Sequence, residues 1–257
     1  MSRLAAGGIA LICTAITCGA GSRSDVRRPD VHARQATAVS SLAVVEARTP
    51  RLKVPRYDTS GTYPQVGGGS LDLRAVNRAL RAAVLADQRA YAAYARRAKP
   101  RVADRERGVY KTAIDRRYVS ASTVVVSALI PLTAELFPGQ HNGEGWLGMT
   151  VRVPSGKRAT ITDLFANPDQ GIRVLATAWK ARIRQSGGGR CLRIYPDSYK
   201  PTVNNYRAFA LAPSGIAVGS WEVAACYRLV AIVPYRVLEP YLSKLGSTLV
   251  AGVRRPR

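Results

Sequence analysis

Histidine is almost missing from this chain: His32 and His141 are the only two in 257 residues. A metal centre built from His and Cys is therefore excluded, because a zinc site takes three or four such ligands. A Ser-His-Asp arrangement would have His141 as its one sensible base, yet no Gly-x-Ser-x-Gly elbow precedes it. Acidic residues are scarce as well, 16 against 39 Lys and Arg, which leaves a formal charge of +23. No apolar run approaches the roughly 20 residues that a membrane-spanning helix needs. These shortages leave no residue to assign as catalytic, metal-binding or cofactor-binding, and no cofactor is expected.

The N-terminus carries a different signal. Arg3 is followed by LAAGGIALICTAI, a run without charge that then breaks into Gly and Ser. A basic start followed by a short apolar stretch reads as an export signal over residues 1–20. The run Ala15-Ile16-Thr17-Cys18 before Gly19-Ala20-Gly21-Ser22 resembles a lipoprotein signal, with Cys18 as the lipidation candidate; cleavage after Ala20 is the alternative. The expected location is secreted or attached to the cell surface, with peripheral membrane attachment only if Cys18 is acylated, since one acyl chain anchors weakly.

Cysteine use agrees with export. Removing the signal discards Cys13, and Cys18 is either lost or acylated, so Cys191 and Cys226 remain of the four. In an oxidising compartment they form a candidate disulfide; two unpaired buried thiols are the alternative. Arg supplies 32 of the 39 basic residues, a skew expected from a GC-rich coding sequence. Such a surface still attracts anions. An exported chain seldom meets nucleic acid, so the expected partners are anionic lipid, cell-wall polymer or a protein, and not nucleic acid.

Along the chain, residues 21–37 read as a flexible basic tether and residues 38–257 as one domain. AVSSLAVVEA has strand composition, whereas RLKVPRYDTSGTYPQV, broken by Pro and Gly, suits an edge strand or extended arm. The clearest helix follows Ser70 and Asp72 and stops at Pro100. At about 100° per residue, Leu73, Val76, Leu80, Val84, Tyr91 and Tyr94 share one face. Arg74, Arg78, Arg81, Arg89 and Arg96 line the opposite side. That stripe is either a solvated face following Arg-rich composition or an anion-binding ridge.

Beyond it, RRYVSASTVVVSALIPLTAEL has strand composition, and GWLGMTVRVPSGKRATITDLF suits a hairpin turning at Pro154-Ser155-Gly156-Lys157. A second helix is expected over 169–185, with Ile172, Leu175, Ala176, Trp179 and Ile183 on one side. Two strands flank Pro213-Ser214-Gly215, and VLEPYLSKLGSTLV reads as one short C-terminal helix. Strands outnumber helices and follow one another directly. The expected class is α+β, with a largely antiparallel sheet packed against a long N-terminal helix and a second helix.

The order YPQV, VNRAL, PGQH, GKRATITDLF, NYRAFALAPSGIAV and VAIVPYRVL resembles the RsiV-like domain family, over roughly residues 55 to 242. That domain forms the extracellular part of a lysozyme-sensing anti-sigma factor and occurs in peptidoglycan deacetylases and small secreted mycobacterial antigens. The apolar run here begins at Leu4, which leaves no room for a sigma-binding segment, and the deacetylase metal site belongs to a separate domain. The organisation is similar to that of the secreted antigens. Lysozyme is strongly cationic, so a surface this basic would oppose its approach.

The resemblance implies a non-catalytic binding domain. His141 resembles the His of the family's Gly-Gly-Ala-His turn, where it either closes the turn or touches a ligand. Glu222 beside Trp221 suits a ligand lip at a strand end, although Trp is more often core. With Arg74, Arg78 and Arg81 these are the ligand-contact candidates. The alternative is an envelope glycan or ester hydrolase using a pair from Glu135, Glu144, Asp163 and Glu222, because glycan cleavage needs two acids of separated pKa. Asp163 also suits a simple turn cap.

Overall fold

A computed structural model of the chain describes residues 42–52, 57–97, 108–135, 143–220, 226 and 228–254. The chain divides into two units, Met1–Ala38 and Val39–Arg257, and every described residue lies in the second. Cys18, His141, Trp221 and Glu222 lie outside the described residues, as do the export signal and the tether.

Strand β5 (Val125–Glu135) is the spine of a six-stranded sheet. One of its edges is covered from Val125 to Ala134 by antiparallel β6 (Gly143–Arg152). The other edge is shared end to end by β4 (Val119–Ala121), opposite Val126 to Ala128, and β3 (Gly108–Thr112), opposite Leu132 to Glu135. β2 (Tyr57–Gly67) lies beside β3, and β1 (Ala43–Arg48) lies beyond β2.

The Pro- and Gly-broken segment read as an edge strand is thus inside the sheet, and Gly61 explains how. Residues Tyr57 to Gly61 pair parallel with β3, whereas Thr62 to Gly67 pair antiparallel with β1. Gly61 sits at φ +105°, and a Cβ there would collide with the Thr112 carbonyl. Only Gly makes that change of partner without strain. Pro64 falls in the half paired with β1 alone, so its missing N–H leaves no ladder incomplete on the side facing away.

The expected fold class is overturned in two respects. There are two sheets: β7 (Phe209–Ala212), β8 (Gly215–Gly219) and β9 (Val230–Pro234) form a separate antiparallel meander. The 24-residue helix α1 (Arg74–Arg97) is not N-terminal either, since it follows β1 and β2 and crosses over to β3. Periodicity identifies the helix, but strand edges carry no comparable mark. The architecture is mixed α and β with two sheets.

α1 buries Val76, Leu80, Ala83 and Val84 against one face of the first sheet, where Val126, Ala128 and Ile130 of β5 meet Met149 and Val151 of β6. A two-way clamp sets its start: Asn77 Oδ1 accepts the Val66 N–H and Asn77 Nδ2 donates to the Val66 carbonyl, both at 2.9 Å. The second sheet has its own core. Phe209, Leu211, Ile216 and Val218 pack on α2 (Pro168–Gln185) through Ile172, Leu175, Trp179 and Ile183. Trp179 donates its indole N–H to the Val218 carbonyl at 2.9 Å.

Short helices α3 (Gly189–Ile194) and α4 (Val203–Tyr206) follow α2. The C-terminal segment expected as one helix is two, α5 (Tyr235–Leu238) and α6 (Lys244–Val253). Pro240 stands in the 3-10 turn between them, and Ser243 starts α6 by accepting the Gly246 N–H at 2.9 Å.

Between the sheets the contact is close and built from small residues. Ala208, Ala210 and Ala217 lie against Leu129 and Trp146, and a Cβ at Gly148 would meet the Phe209 backbone. The free edge of β7 is closed by a side chain, with Ser127 Oγ of β5 accepting the Leu211 N–H at 2.8 Å and sharing a 2.7 Å hydrogen bond with Thr150.

Cys191 and Cys226 form a disulfide, with Cα atoms 5.7 Å apart, joining α3 to the β8–β9 connection. Replacing both with Ser is expected to lower stability by about 4 kcal/mol in the chain-entropy model, measured by urea denaturation; an unchanged midpoint would show that the bridge constrains nothing. Gly61→Ala is expected to cost more than roughly 2 kcal/mol, from left-handed strain and overlap with Thr112.

Candidate functional site

Two surfaces of α1 are candidates for a functional site. On the solvent face, Arg74, Arg78, Arg81 and Arg89 are all exposed. They are not equivalent. Asp72 accepts the Arg74 backbone N–H at 3.0 Å and pairs with its guanidinium at 2.8 Å, so Arg74 is already matched by an acid. That pairing pulls the Asp72 carboxyl down to about 2. Arg78, Arg81 and Arg89 make no ion pair among the described residues. Together they place three charges along more than two turns of helix, with only Arg78 within the field of Asp72.

The other surface is a cleft of about 300 Å³ where the flank of α1 meets β6 and the entry to β7. Ala83 and Ala90 of α1 form one wall, Trp146 and Gly148 another. Asp87, the sole acid of α1, enters it half-buried, and its Oδ2 accepts the Tyr110 hydroxyl at 2.7 Å. Tyr110 comes from β3 and is fully buried, so the carboxylate is held from beneath. Arg158 and Arg207 line the same cleft from the exposed side. Arg158 donates to the Gly148 carbonyl at 3.3 Å, which fixes one arm of its guanidinium. Trp146 is buried, edge-on to Tyr118 at 5.5 Å between ring centres, and its indole N–H has no partner among the described residues.

Electrostatics in the cleft are divided. Burial pushes the Asp87 carboxyl above its ordinary value, while the Tyr110 hydrogen bond and the fields of Arg207 and Arg158 act the other way. Removal from water prevails. An acid held this way in a lined cleft, with two cations at the mouth, marks a functional-site candidate.

Two of the carboxylates considered for hydrolysis, Asp163 and Glu144, are engaged within the fold. Asp163 Oδ2 accepts both the Thr160 N–H and the Thr160 hydroxyl at 2.7 Å, pinning the 3-10 turn that contains it. Glu144 pairs with Arg228 at 2.9 Å, and Arg228 also donates to Thr133 at 2.6 Å. Arg228 makes this reach from a left-handed backbone, φ +47°, the one non-Gly residue so placed among the described residues. Among the described residues no group of His, Cys, Asp and Glu is placed to hold a metal.

Sequence reasoning missed the cleft. Asp87, Tyr110, Trp146, Arg158 and Arg207 come from five separate elements or turns, and no spacing joins them. One signal was readable: Asp87 stands three residues after Val84 and four before Tyr91, on the side of α1 that the apolar residues share.

No protein-family model matches the chain, and no curated protein matches it. Its fold is similar to the crystal structure of a DUF3298 family protein from Pseudomonas aeruginosa PAO1, with TM-score 0.50 and 11% identity over 84% of this chain and 96% of that one. A DUF3298 family member from Bacteroides fragilis NCTC 9343 matches with TM-score 0.46 and 12% identity, over 80% and 94% of the respective chains. The structural neighbours are thus members of a small family of unknown function, and at such identity the likeness to the Pseudomonas protein shows the fold alone.

A raised carboxyl pKa carries a signed consequence. Because folding raises the Asp87 pKa, its contribution favours the fold below its ordinary value of 3.8 and is lost as pH rises through the higher folded value. Asp72 and Asp115, both lowered by Arg partners, act oppositely and below 3.8. The stability difference between wild type and Asp87→Asn is therefore expected to shift against wild type as pH rises above about 4, read from thermal midpoints. A difference independent of pH would contradict the burial of that charge.

Proposed function

We propose that this chain is an exported cell-envelope protein with a non-catalytic RsiV-like binding domain, organised like the small secreted mycobacterial antigens, that contacts an anionic partner. The observation that carries this reading is the ridge of Arg78, Arg81 and Arg89, exposed on one face of a helix and making no ion pair among the described residues. Such an arrangement holds positive potential at a fixed spacing, where a partner's charge is met without reorganisation.

Export is supported by the basic-then-apolar start of the sequence and by the Cys191–Cys226 disulfide, a bond typical of oxidising compartments. No described helix is long and apolar enough to cross a membrane. Cys18 acylation would tether the chain at the outer face of the membrane, beside acidic lipid headgroups and wall polymers. Contact is favoured over hydrolysis because Asp163 and Glu144 are engaged within the fold.

The test is binding to vesicles rich in anionic lipid and to an anionic wall polymer over a salt series. Neutralising Arg78, Arg81 and Arg89 together is expected to remove roughly 3 kcal/mol, about a hundredfold in affinity, at about 1 kcal/mol per basic residue near an anionic surface. Arg74→Gln is expected to weaken binding less than Arg78→Gln, since Asp72 already offsets Arg74. Binding to neither probe, or binding indifferent to salt and to these substitutions, would contradict the reading.

A further inference from the structure

We infer that the Asp87 cleft is a binding site for a small carboxylate that carries a hydrogen-bond donor next to its acid group, an α-hydroxy acid or the terminal residue of a peptide. The cleft is separate from the arginine ridge. Asp87 lies about 140° around α1 from Arg74 at the helical angle per residue, so variants of one surface leave the other intact.

Two features select this ligand class. Arg158 and Arg207 are cations at the mouth of the cleft, and Arg207 makes no ion pair among the described residues. A guanidinium receives a carboxylate through two parallel N–H groups, with both strength and orientation. At the inner end, Asp87 Oδ2 is taken by the Tyr110 hydroxyl, which leaves Oδ1 to accept from a ligand hydroxyl or amide N–H. Trp146 walls the cleft beside these groups, so its indole signal reports on occupancy.

Size and charge narrow the class further. A volume of about 300 Å³ stands at the lower limit for ligand clefts, room for a ligand of a few heavy atoms rather than a sugar chain. An acid lacking a donor would face the Asp87 charge with nothing to offer it. A donor lacking an acid would leave both guanidinium groups unmatched. Only a ligand with both features meets all the groups present.

The experiment uses the whole exported chain labelled with nitrogen-15 and follows its indole N–H signals, of which the three Trp residues provide three. Trp146→Phe identifies the signal of Trp146. Four probes of similar size are titrated: lactate, N-acetylalanine, propionate and alaninamide. Lactate and N-acetylalanine are expected to move the Trp146 signal with affinity about tenfold or more above propionate, the loss expected for one charge-assisted hydrogen bond. Alaninamide is expected to leave it in place. Response to lactate alone or to N-acetylalanine alone assigns the site to hydroxy acids or to peptide ends.

Arg207→Gln, at an exposed position that leaves the fold intact, is expected to weaken the response about tenfold. Asp87→Asn is expected to narrow the preference over propionate. No response to any acid at roughly 10 mM, the range of the weakest specific affinities, would overturn the proposal. So would equal affinity for propionate, a response to alaninamide equal to that for lactate, or an Arg207→Gln variant that binds like wild type. Loss of binding to anionic vesicles with the acid response intact would instead count against the ridge alone.

Discussion

The seating of the second sheet on the first depends on one serine. Ser127, fully buried on β5, accepts the Leu211 N–H from the open edge of β7 and shares a second hydrogen bond with Thr150 of β6. An edge strand otherwise presents unpaired backbone donors, and a buried unpaired donor costs about 1–3 kcal/mol. Here the face of one sheet answers the edge of another. The surrounding residues are small, Ala208, Ala210, Ala217 and Gly148, which lets the backbones approach closely enough for that hydrogen bond.

The same contact builds the cleft. Seating β7 against β6 brings Arg207 and Ala208, at the entry to β7, alongside Trp146 and the flank of α1 that carries Asp87. The Asp87 carboxylate is thus withdrawn from water by the packing of three elements and held by Tyr110 from a fourth. α1 serves two surfaces at once. One face is the exposed ridge of Arg78, Arg81 and Arg89; the opposite flank offers an acid under two cations. Long-range attraction and selective contact are physically separable on the one element, because the ridge acts through summed field and the cleft through directed hydrogen bonds.

How much of this was legible in the sequence follows from the range of each interaction. Helical period identified α1 and α2, and the five residues expected to face the core of α2 are all buried. The turn at Pro213-Ser214 and the pairing of Cys191 with Cys226 were also readable, the latter because only two cysteines remain after the signal. Local chemistry did not reveal partners. Nothing near Gly61 says that its strand changes neighbours there, and nothing near Leu211 says that its N–H meets a serine 84 residues away. A single sheet was expected for that reason. The ridge was legible because it lies on one helix; the cleft was not, because its residues are gathered by tertiary packing. The likeness to DUF3298 structures shows a fold and carries no ligand with it.

The most direct test of the Ser127 contact is hydrogen exchange at the Leu211 amide. Leu211 lies on an edge strand, where an amide facing away from its neighbour ordinarily exchanges through local fluctuation. The contact predicts instead that Leu211 exchanges only on global unfolding, as slowly as the amides inside β5, and that Ser127→Ala speeds it selectively. Fast exchange at Leu211 in the wild-type protein would contradict the docking of the two sheets and, with it, the cleft that this docking forms.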